Sequence, residues 1–585
     1  PLDELWNRKK NRYRTKLFGN LAVVFHIIDG LDLRTQIGID ANLRQNKDYT
    51  PNNLNNISSR GEASFYNGQF IYWQEETYLS YNKLFEDKHR INATLGASWS
   101  KNEESNNGTG TVRDYDSNFF GYDRIQAGRT PESPNSDYNS WTMNSYFARG
   151  SYTYRDKYLA TATLRVDGSS RFGANSKYGF FPSAGLGWVV SNEDFLKDNS
   201  LLNNLKLRAS YGRTGNTEIN VYQTLATMST GTNLINGGRT AYNEMARMAN
   251  PDLEWEKTDQ FDVGFNISLF NYRLNLEMDY YIKNTKDLLL AKPIPFTTGF
   301  SSVMDNIGQV ENKGIDFMLT TVNAETKDFR WESTLNFNYN KNTIRKLGEN
   351  NEDIIMNPDI QGGNTILRVG ESLGSFYGYI RYGTWGTDEV EEAAAAGAVP
   401  GEAKRSTDKH ILGNGMPDFT GSFINKLFYK DFDFMLDLQF VTGVNAWQQF
   451  LHPMEDRTGI ANGLRTILYE GWTETNQNTM VQQIRQQNYA GQNSMADSHW
   501  VCDGSYLRGS LIQLGYSLKN DLVKKWNING LRLYFSINNA FLIKSKEYKA
   551  YDPESTTYGD RFGQNIISYQ YPSSRTFTLG VNFSF

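Results

Sequence analysis

The 585-residue chain has little cysteine, little proline and no excess of positive charge. Its one cysteine, Cys502, excludes a disulfide framework and a cysteine-based metal cluster. The formal net charge is −5, and phosphate recognition needs a concentrated basic surface, so the composition argues against nucleic-acid binding. No stretch approaches the roughly 20 consecutive apolar residues that a membrane-spanning helix requires.

Aromatic residues and glycine are abundant instead. Aromatic side chains make up 14% of the chain and there are 50 glycines, yet the mean hydropathy is polar, at −0.60. A polar mean normally indicates a soluble protein. A transmembrane β-barrel has the same composition, because only every second side chain of each strand faces lipid.

Apolar and polar residues alternate with a period of two along much of the chain. In 261–269 the odd positions are apolar and the even positions polar, and the pattern restarts after a tight turn at 270–272. Further hairpins are predicted at 312–325 with 328–340, at 418–430 with 432–442, and at 505–519 with 529–541. Helices are predicted only as loop decorations, at 388–398 and at 192–198. The absence of strand–helix alternation excludes doubly wound and TIM-barrel folds and predicts an all-β chain.

Short and long connections alternate along the chain. Turns are predicted at 28–31, 86–88, 156–157, 270–272, 325–327 and 430–431. Long polar loops are predicted near 46–68, 103–139, 214–258, 286–311, 443–504 and 542–572. Short turns at one rim and long loops at the other are the layout of an outer-membrane barrel, so we interpret 1–585 as one transmembrane antiparallel β-barrel domain.

The number of strands predicts that the barrel begins before residue 1. About seventeen strands are evident, and an even number within 345–417 keeps the alternation of connections. The total is then odd, whereas bacterial barrels close with an even number. We therefore expect N-terminal strands of the barrel to lie outside this sequence.

The last strand of the chain has an apolar residue at every second position. Its apolar residues alternate up to the final position, and we interpret them as a signal for barrel insertion: Phe577, Leu579, Val581, Phe583 and Phe585. A soluble β-sandwich would show the same alternation with a solvated polar face. Tyrosines at strand ends, such as Tyr152, Tyr154 and Tyr158, favour the membrane alternative.

No catalytic, cofactor or metal site is predicted. The five histidines lie far apart, with no pair at metal-ligand spacing. Asp433 and Asp437 are on one strand face, but four residues along a strand span about 13 Å, beyond the ~5–9.5 Å that glycoside hydrolysis uses. We therefore predict that the chain is not an enzyme and that these carboxylates face a polar lumen.

Segments spread along the chain resemble the SusC/RagA family of TonB-dependent outer-membrane transporters of Bacteroidetes-type bacteria. They are LRVDGSSRFGANSKYGFFPSAGLGWVVSNEDFL (164–196), LKLRASYGRTGN (205–216), LEWEKTDQFDVGF (253–265), IGQVENKGIDFML (307–319), VGESLGSFYGY (369–379), ILGNGMPDFTGSF (411–423), DGSYLRGSLIQLGYSL (503–518), LYFSINNAF (533–541), YDPE (551–554) and the closing strand. Each segment is weak alone, but their order and spacing together are specific.

The resemblance implies a multi-pass outer-membrane barrel of 22 strands whose plug domain and TonB box are not in this segment. It also implies import of oligosaccharides or peptides, energised by the TonB–ExbB–ExbD complex and assisted by a SusD-like surface lipoprotein that acts as a lid. Related chains often carry an acidic loop before the ILGN motif. Here 400–419 has basic residues at those positions, so no calcium is expected there.

Three tryptophans in the long loops are candidate ligand or lid contacts: Trp385, Trp447 and Trp472. Flat rings stack on sugar faces, although packing within the loops or contact with the lid protein is the favoured explanation for each of them. Two other functions stay open at this point, namely a passive porin or surface-binding barrel, and a soluble secreted carbohydrate-binding protein or hydrolase. An upstream plug and TonB box would exclude the porin.

Overall fold

In the computed structural model, strands dominate the chain. The structure describes residues 6–54, 61–197, 199–235, 238–356, 364–456, 462–484, 495–518, 529–554 and 562–584. The first half contains β1 Lys9–Ile28, β2 Leu31–Thr50, β3 Glu62–Phe85, β4 His89–Tyr115, β5 Gly128–Pro131, β6 Asn135–Tyr154, β7 Tyr158–Ser169, β8 Tyr178–Val189, β9 Leu202–Asn216, β10 Thr227–Ile235, β11 Gly238–Arg247, β12 Glu256–Leu269, β13 Leu274–Lys286, β14 Leu289–Pro293 and β15 Ser302–Asn306.

The second half continues with β16 Gln309–Glu325, β17 Phe329–Lys346, β18 Ile354–Met356, β19 Asn364–Leu367, β20 Ser375–Thr384, β21 Ala403–Asn414, β22 Phe419–Tyr429, β23 Phe432–Thr442, β24 Asn445–Gln448, β25 Val501–Asp503, β26 Tyr506–Ser517, β27 Gly530–Lys544, β28 Ile566–Ile567 and β29 Thr576–Ser584. Among the described residues, two short helices lie in the connections, α1 Val390–Ala395 and α2 Thr466–Glu470. They are joined there by 3-10 turns at Gly121–Ala127, Val190–Asn192, Phe296–Thr298 and Ser498–Trp500, and a π-helical turn at His452–Asp456. Within the described residues, no helix is long and apolar enough to cross a membrane.

The chain divides into two compact units. Unit 1 comprises Pro1–Leu186, Tyr211–Thr258 and Asp287–Asn306. Its long strands pair antiparallel in the order β1, β2, β3, β4, β6 and β7, and β10–β11 and β14–β15 form separate hairpins. A buried cluster around Phe172, Phe181 and Trp255 packs beside this sheet.

Unit 2 comprises Gly187–Ser210, Asp259–Lys286 and Ile307–Phe585. Its long strands pair antiparallel in the order β13, β16, β17, β22, β23, β26, β27 and β29. A three-stranded sheet of β24, β25 and β28 lies in the connections, with β24 and β28 parallel. The hairpins predicted from alternation in this part of the chain are confirmed.

The segment 345–417 differs from the prediction. Its described residues, which exclude 357–363, form four strands, β18 to β21, and this even number agrees with the expectation. They form a small sheet of their own instead of extending the wall, because β17 pairs directly with β22. Alternation along a strand cannot distinguish these cases, since it does not encode the partner strand.

Two loop boundaries also differ from the prediction. β2 and β3 reach into 46–68, and β4 and β6 reach into 103–139. In these stretches both strand faces carry polar side chains, so the period-two contrast disappears while the backbone ladder continues. The turn at 270–272 is confirmed, and all three of its residues have positive φ, between 56° and 62°.

Candidate functional site

The long strands of unit 2 present two chemically different faces. Across β16 and β17, Asp316 pairs with Asn338 on one face, while Phe317 pairs with Phe337 on the other. Directly opposed residues share a face of the sheet, so polar residues collect on one side and apolar residues on the other. A hydrophilic solute therefore has one face on which it can form hydrogen bonds.

The polar face of unit 2 is organised around Arg208 of β9. Its Nη2 donates to Glu277 Oε1 and to Asp279 Oδ2, each at 2.8 Å. The two carboxylates border a concave pocket of about 560 Å³, which carries amide and hydroxyl groups on neighbouring strands. The pocket is lined by Glu277, Asp279, Asp316, Phe317, Met318, Asn336, Phe337, Asn338, Thr420, Gly421, Ser422, Gln439, Phe440, Val441 and Tyr506.

This chemistry suits recognition of hydroxyl and amide groups. In the described part of the chain, no group of three or more histidine, cysteine, aspartate or glutamate residues is placed to hold a metal ion. Asp433, one of the imagined glycosidase pair, forms an ion pair with Arg532 and is held in the wall. Period-two alternation places Arg208 and Arg532 on the polar faces of their strands, whereas it does not predict that Arg208 meets two carboxylates of β13.

The connections of unit 2 are joined by a buried ion network that sequence reasoning missed. Arg381 of β20 is fully buried and donates to both oxygens of Asp456, at 3.0 and 2.6 Å, and to Asp497 Oδ2 at 2.8 Å. Arg405 Nε donates to the same oxygen of Asp497 at 2.6 Å. We call these four residues the ion cluster. It ties together segments that are more than 70 residues apart in sequence.

Charge attraction outweighs burial in this cluster. Burial alone would raise the pKa of Asp456, but the adjacent Arg381 guanidinium more than compensates, and the net pKa lies well below the ordinary aspartate value. Burial would likewise lower the pKa of Arg381, and the charges of Asp456 and Asp497 raise it overall. Arg381 and Asp456 therefore both stay charged across the physiological pH range.

Beside the ion cluster lies a further buried carboxylate, Glu455. It is within 2.6 Å of His499 Nε2 and accepts a hydrogen bond from Lys549 Nζ at 2.8 Å. An apolar core surrounds these groups, with Phe376, Trp447, Trp500 and Tyr548 among its members. The loops of unit 2 thus form a folded layer with its own core.

The structure places all three predicted loop tryptophans in the interior. Trp447 is 0%, Trp472 5% and Trp385 8% exposed. Trp447 packs against Phe376 and Trp500, and Trp385 lies under the ammonium group of Lys404. Their burial favours packing within the loops over direct contact with a ligand or a lid.

The terminal strand β29 pairs with β27 and exposes its apolar residues. Phe577, Leu579, Val581 and Phe583 are between 52% and 81% exposed. Phe585 lies outside the described residues. The alternation predicted from the sequence is present, and the role as an insertion signal remains a prediction.

Several segments that carry the family resemblance meet in space. Arg508, from the 503–518 segment, forms a buried ion pair with Asp552 of YDPE, and Tyr506 donates to Glu554 at 2.7 Å. Phe172, from the 164–196 segment, packs on Trp255 of 253–265 with ring centroids 4.8 Å apart. These segments therefore position the connections relative to the wall strands within their units.

Comparisons with known proteins agree with this architecture. Residues 3–409 match the family described as TonB dependent receptor-like, beta-barrel. A TonB-dependent receptor of Formosa agariphila is 34% identical over 99% of this chain and 58% of its own length, and the TonB-dependent receptor SusC of Bacteroides thetaiotaomicron is 32% identical over 76% of this chain and 44% of its own. The RagAB peptide transporter structure superposes with a TM-score of 0.83, at 25% identity, over 99% of this chain and 63% of that chain.

An all-β antiparallel wall with one polar and one apolar face is the architecture of a membrane β-barrel. The chain belongs to the TonB-dependent receptor β-barrel family, and within it to the SusC/RagA group. It spans 44% to 61% of the length of the curated relatives that it matches.

Proposed function

We propose that this chain forms the wall of a TonB-dependent importer in the bacterial outer membrane that takes up oligomeric nutrients, either oligosaccharides or peptides. The main support for this proposal is that the chain belongs to the receptor family. The pocket on the polar face near Arg208 is consistent with it. The chain supplies solute contacts and a rigid boundary, and it makes or breaks no covalent bond.

The folded loop layer of unit 2 supports a partner at the cell surface. A lid needs a docking surface that keeps its shape, and the ion cluster with its apolar core fixes the loops relative to one another. A SusD-like lipoprotein is the partner that the family implies. TonB, ExbB and ExbD would act on the plug region, so this wall would transmit no force itself.

Dependence on TonB separates an importer from a passive porin. We expect deletion of the gene to abolish growth on at least one polymeric nutrient, and deletion of tonB to give the same defect with the receptor still present. Growth that survives loss of TonB would favour a passive pore. Unchanged growth of the gene deletion on every nutrient tested would remove the importer proposal.

The identity of co-purifying proteins tests the partner. The intact receptor, purified in mild detergent with an affinity tag, is expected to retain a surface lipoprotein at equal stoichiometry. Arg381→Met, which removes the central cation of the ion cluster, should lower the amount of lipoprotein retained, whereas Arg330→Met at the exposed start of β17 should not. If both variants retain the same amount of lipoprotein, docking of the lid does not depend on the loop layer.

A further inference from the structure

A row of four side chains crosses the polar face of unit 1. Asp40, Tyr72, Asn102 and Trp141 lie directly opposite one another on the consecutive strands β2, β3, β4 and β6. Neighbouring strands are about 4.8 Å apart, so the row is roughly 14 Å long. We call it the aromatic–amide row, and its length exceeds that of a single sugar ring.

Two aromatic rings cover the amide in the row. The ring centroids of Tyr72 and Trp141 are 6.1 Å apart at an interplanar angle of 44°, and Asn102 between them is 7% exposed. The guanidinium carbon of Arg171 lies 5.0 Å from the Trp141 ring centroid. Arg171 is held in place because its Nη1 donates to two backbone carbonyls, each at 3.0 Å.

The row contains acceptors that have no donor. Within the described residues, Asp40 Oδ1 and Asn102 Oδ1 are buried without a hydrogen-bond partner, as is Arg171 Nε. Lys16 contacts only the other oxygen of Asp40, at 3.1 Å. A concave pocket of about 190 Å³ adjoins Asp40 and Tyr72. Buried polar groups are normally satisfied, so these atoms point to a ligand that offers donors.

We propose that the aromatic–amide row is a subsite for a neutral oligosaccharide. This inference rests on the proposed importer, since a solute reaches the polar face only if the chain forms the wall of a transport path. A pyranose presents C–H groups to an aromatic face, and its hydroxyls donate to Asp40 and Asn102 while accepting from Arg171. The Asp40 carboxylate disfavours an anionic sugar.

The row suits a peptide less well. Extended peptides are usually captured by adding a strand to a free sheet edge. β3 and β4 are both paired on each side at the row, so no backbone edge is available there. A peptide would depend on individual side chains, whereas a sugar uses the rings and the unpaired acceptors together.

The position of the row fits an encounter site outside the membrane. Asn102 lies 13 residues from His89, where β4 begins. At about 3.4 Å per residue and a tilt of about 40°, this places the row roughly 34 Å above the turn. The apolar band of such barrels is about 25 Å tall, so the row lies on the side of the long loops.

Calorimetric titration of the intact receptor, purified from outer membranes in detergent, tests the inference. The probes are maltohexaose, laminarihexaose, xylohexaose and the peptide hexa-alanine. We expect at least one hexasaccharide to bind and the Trp141→Ala variant to bind it at least about tenfold more weakly. The matched control is Trp99→Ala, on the opposite face of the neighbouring strand β4 and 41% exposed, which should change affinity less than about twofold.

A second variant distinguishes weaker binding from a folding defect. Asn102→Ala removes an unpartnered buried polar group, so it should leave folding intact, as judged by heat-modifiable migration, and still weaken hexasaccharide binding several-fold. The inference is overturned if no hexasaccharide binds to the wild-type receptor, if Asn102→Ala and Trp141→Ala bind as wild type does, or if only hexa-alanine binding depends on the row. If TonB-dependent uptake persists in those cases, only the subsite proposal is wrong and the proposed importer function is retained. If TonB-dependent uptake is absent, the importer function itself is wrong, whatever the binding data show.

Discussion

Arg381 shows how strongly a single residue can fix the loop layer. Its side chain is fully buried between Asp456 and Asp497, and the three groups satisfy one another. Replacing Arg381 by methionine leaves the buried carboxylate of Asp456 without its ion-pair partner, whereas Asp497 keeps Arg405. Breaking a buried pair in this way costs about 3–5 kcal/mol.

We therefore expect Arg381→Met to make the connections of unit 2 susceptible to limited proteolysis while the wall stays folded. The matched control is Arg330→Met, because Arg330 forms exposed ion pairs with Glu325 and Glu332 that are worth at most about 1 kcal/mol. Identical cleavage patterns for both variants would contradict a stabilising role for the ion cluster.

The ion cluster also predicts a pH dependence. The folded-state pKa of Asp456 is below the unfolded value of about 3.9, so its contribution to stability is complete above that pH and is lost as the pH falls further. The contribution of Glu455 to stability depends on pH in the same direction. Burial would raise the pKa of Glu455, but the hydrogen bond with His499 helps to lower it overall. Tryptophan fluorescence should stay constant from pH 5 to 8 and change below about pH 4. A transition near pH 6 would contradict this assignment.

None of these contacts could be predicted at the residue scale. Arg381 and Asp497 are 116 positions apart, and nothing local to either residue marks its partner. The sequence placed Trp447 correctly in a long connection, but burial depends on distant residues such as Phe376 and Ile566. Polar alternation did place Arg208 on the polar face of its strand, because that property is local.

At the scale of elements, the tight turns depend on backbone conformation. Gly30, between β1 and β2, has φ of +78°, and an added Cβ would collide with the backbone oxygen of Asn82. Gly30→Ala should therefore destabilise the hairpin by about 1–2 kcal/mol. Gly150→Ala is the control, since open space surrounds that position and its φ is ordinary. Urea midpoints in detergent compare the two, and equal midpoints would contradict the strain argument.

The terminal strand makes a separate prediction about insertion. Deleting Phe585, or replacing Phe583 by aspartate, should lower the amount of folded receptor in the outer membrane several-fold, because the apolar face of β29 is needed against lipid. Asn582→Ala alters the opposite face of the same strand and should have little effect. Immunoblots of unheated and heated membranes give the folded fraction. Normal abundance of both Phe variants would contradict the prediction that the terminal strand is a signal for barrel insertion.

Strand existence was predictable, whereas strand extent and partners were not. The hairpin of β16 and β17 could be predicted because apolar and polar residues alternate along both strands, so that one face is apolar and the other polar. β3 and β4 run 24 and 27 residues, well beyond the predicted ends. Their distal parts are polar on both faces, and only the backbone hydrogen bonds to neighbouring strands define them.

At the scale of the whole molecule, the apolar outer residues require a lipid environment. Many large apolar side chains on the long strands are more than one third exposed, including Leu95, Leu164 and Leu186. Soluble monomers rarely expose so many apolar side chains. We expect the receptor to be released from membranes only by detergent and to migrate faster on gels before heating than after. Release by high salt or alkali would contradict a membrane-embedded wall.

The buried thiol in the loop core has a practical consequence. Cys502 is 5% exposed, and burial raises its pKa to about 12, so almost no reactive thiolate forms at neutral pH. Among the 585 residues there is no other cysteine. A cysteine introduced at position 150 or 296 would then be the one site in this chain that maleimide or nitroxide reagents modify. A pair of such cysteines, at 150 and 296, would allow the distance between two spin labels to be measured without removing the native residue.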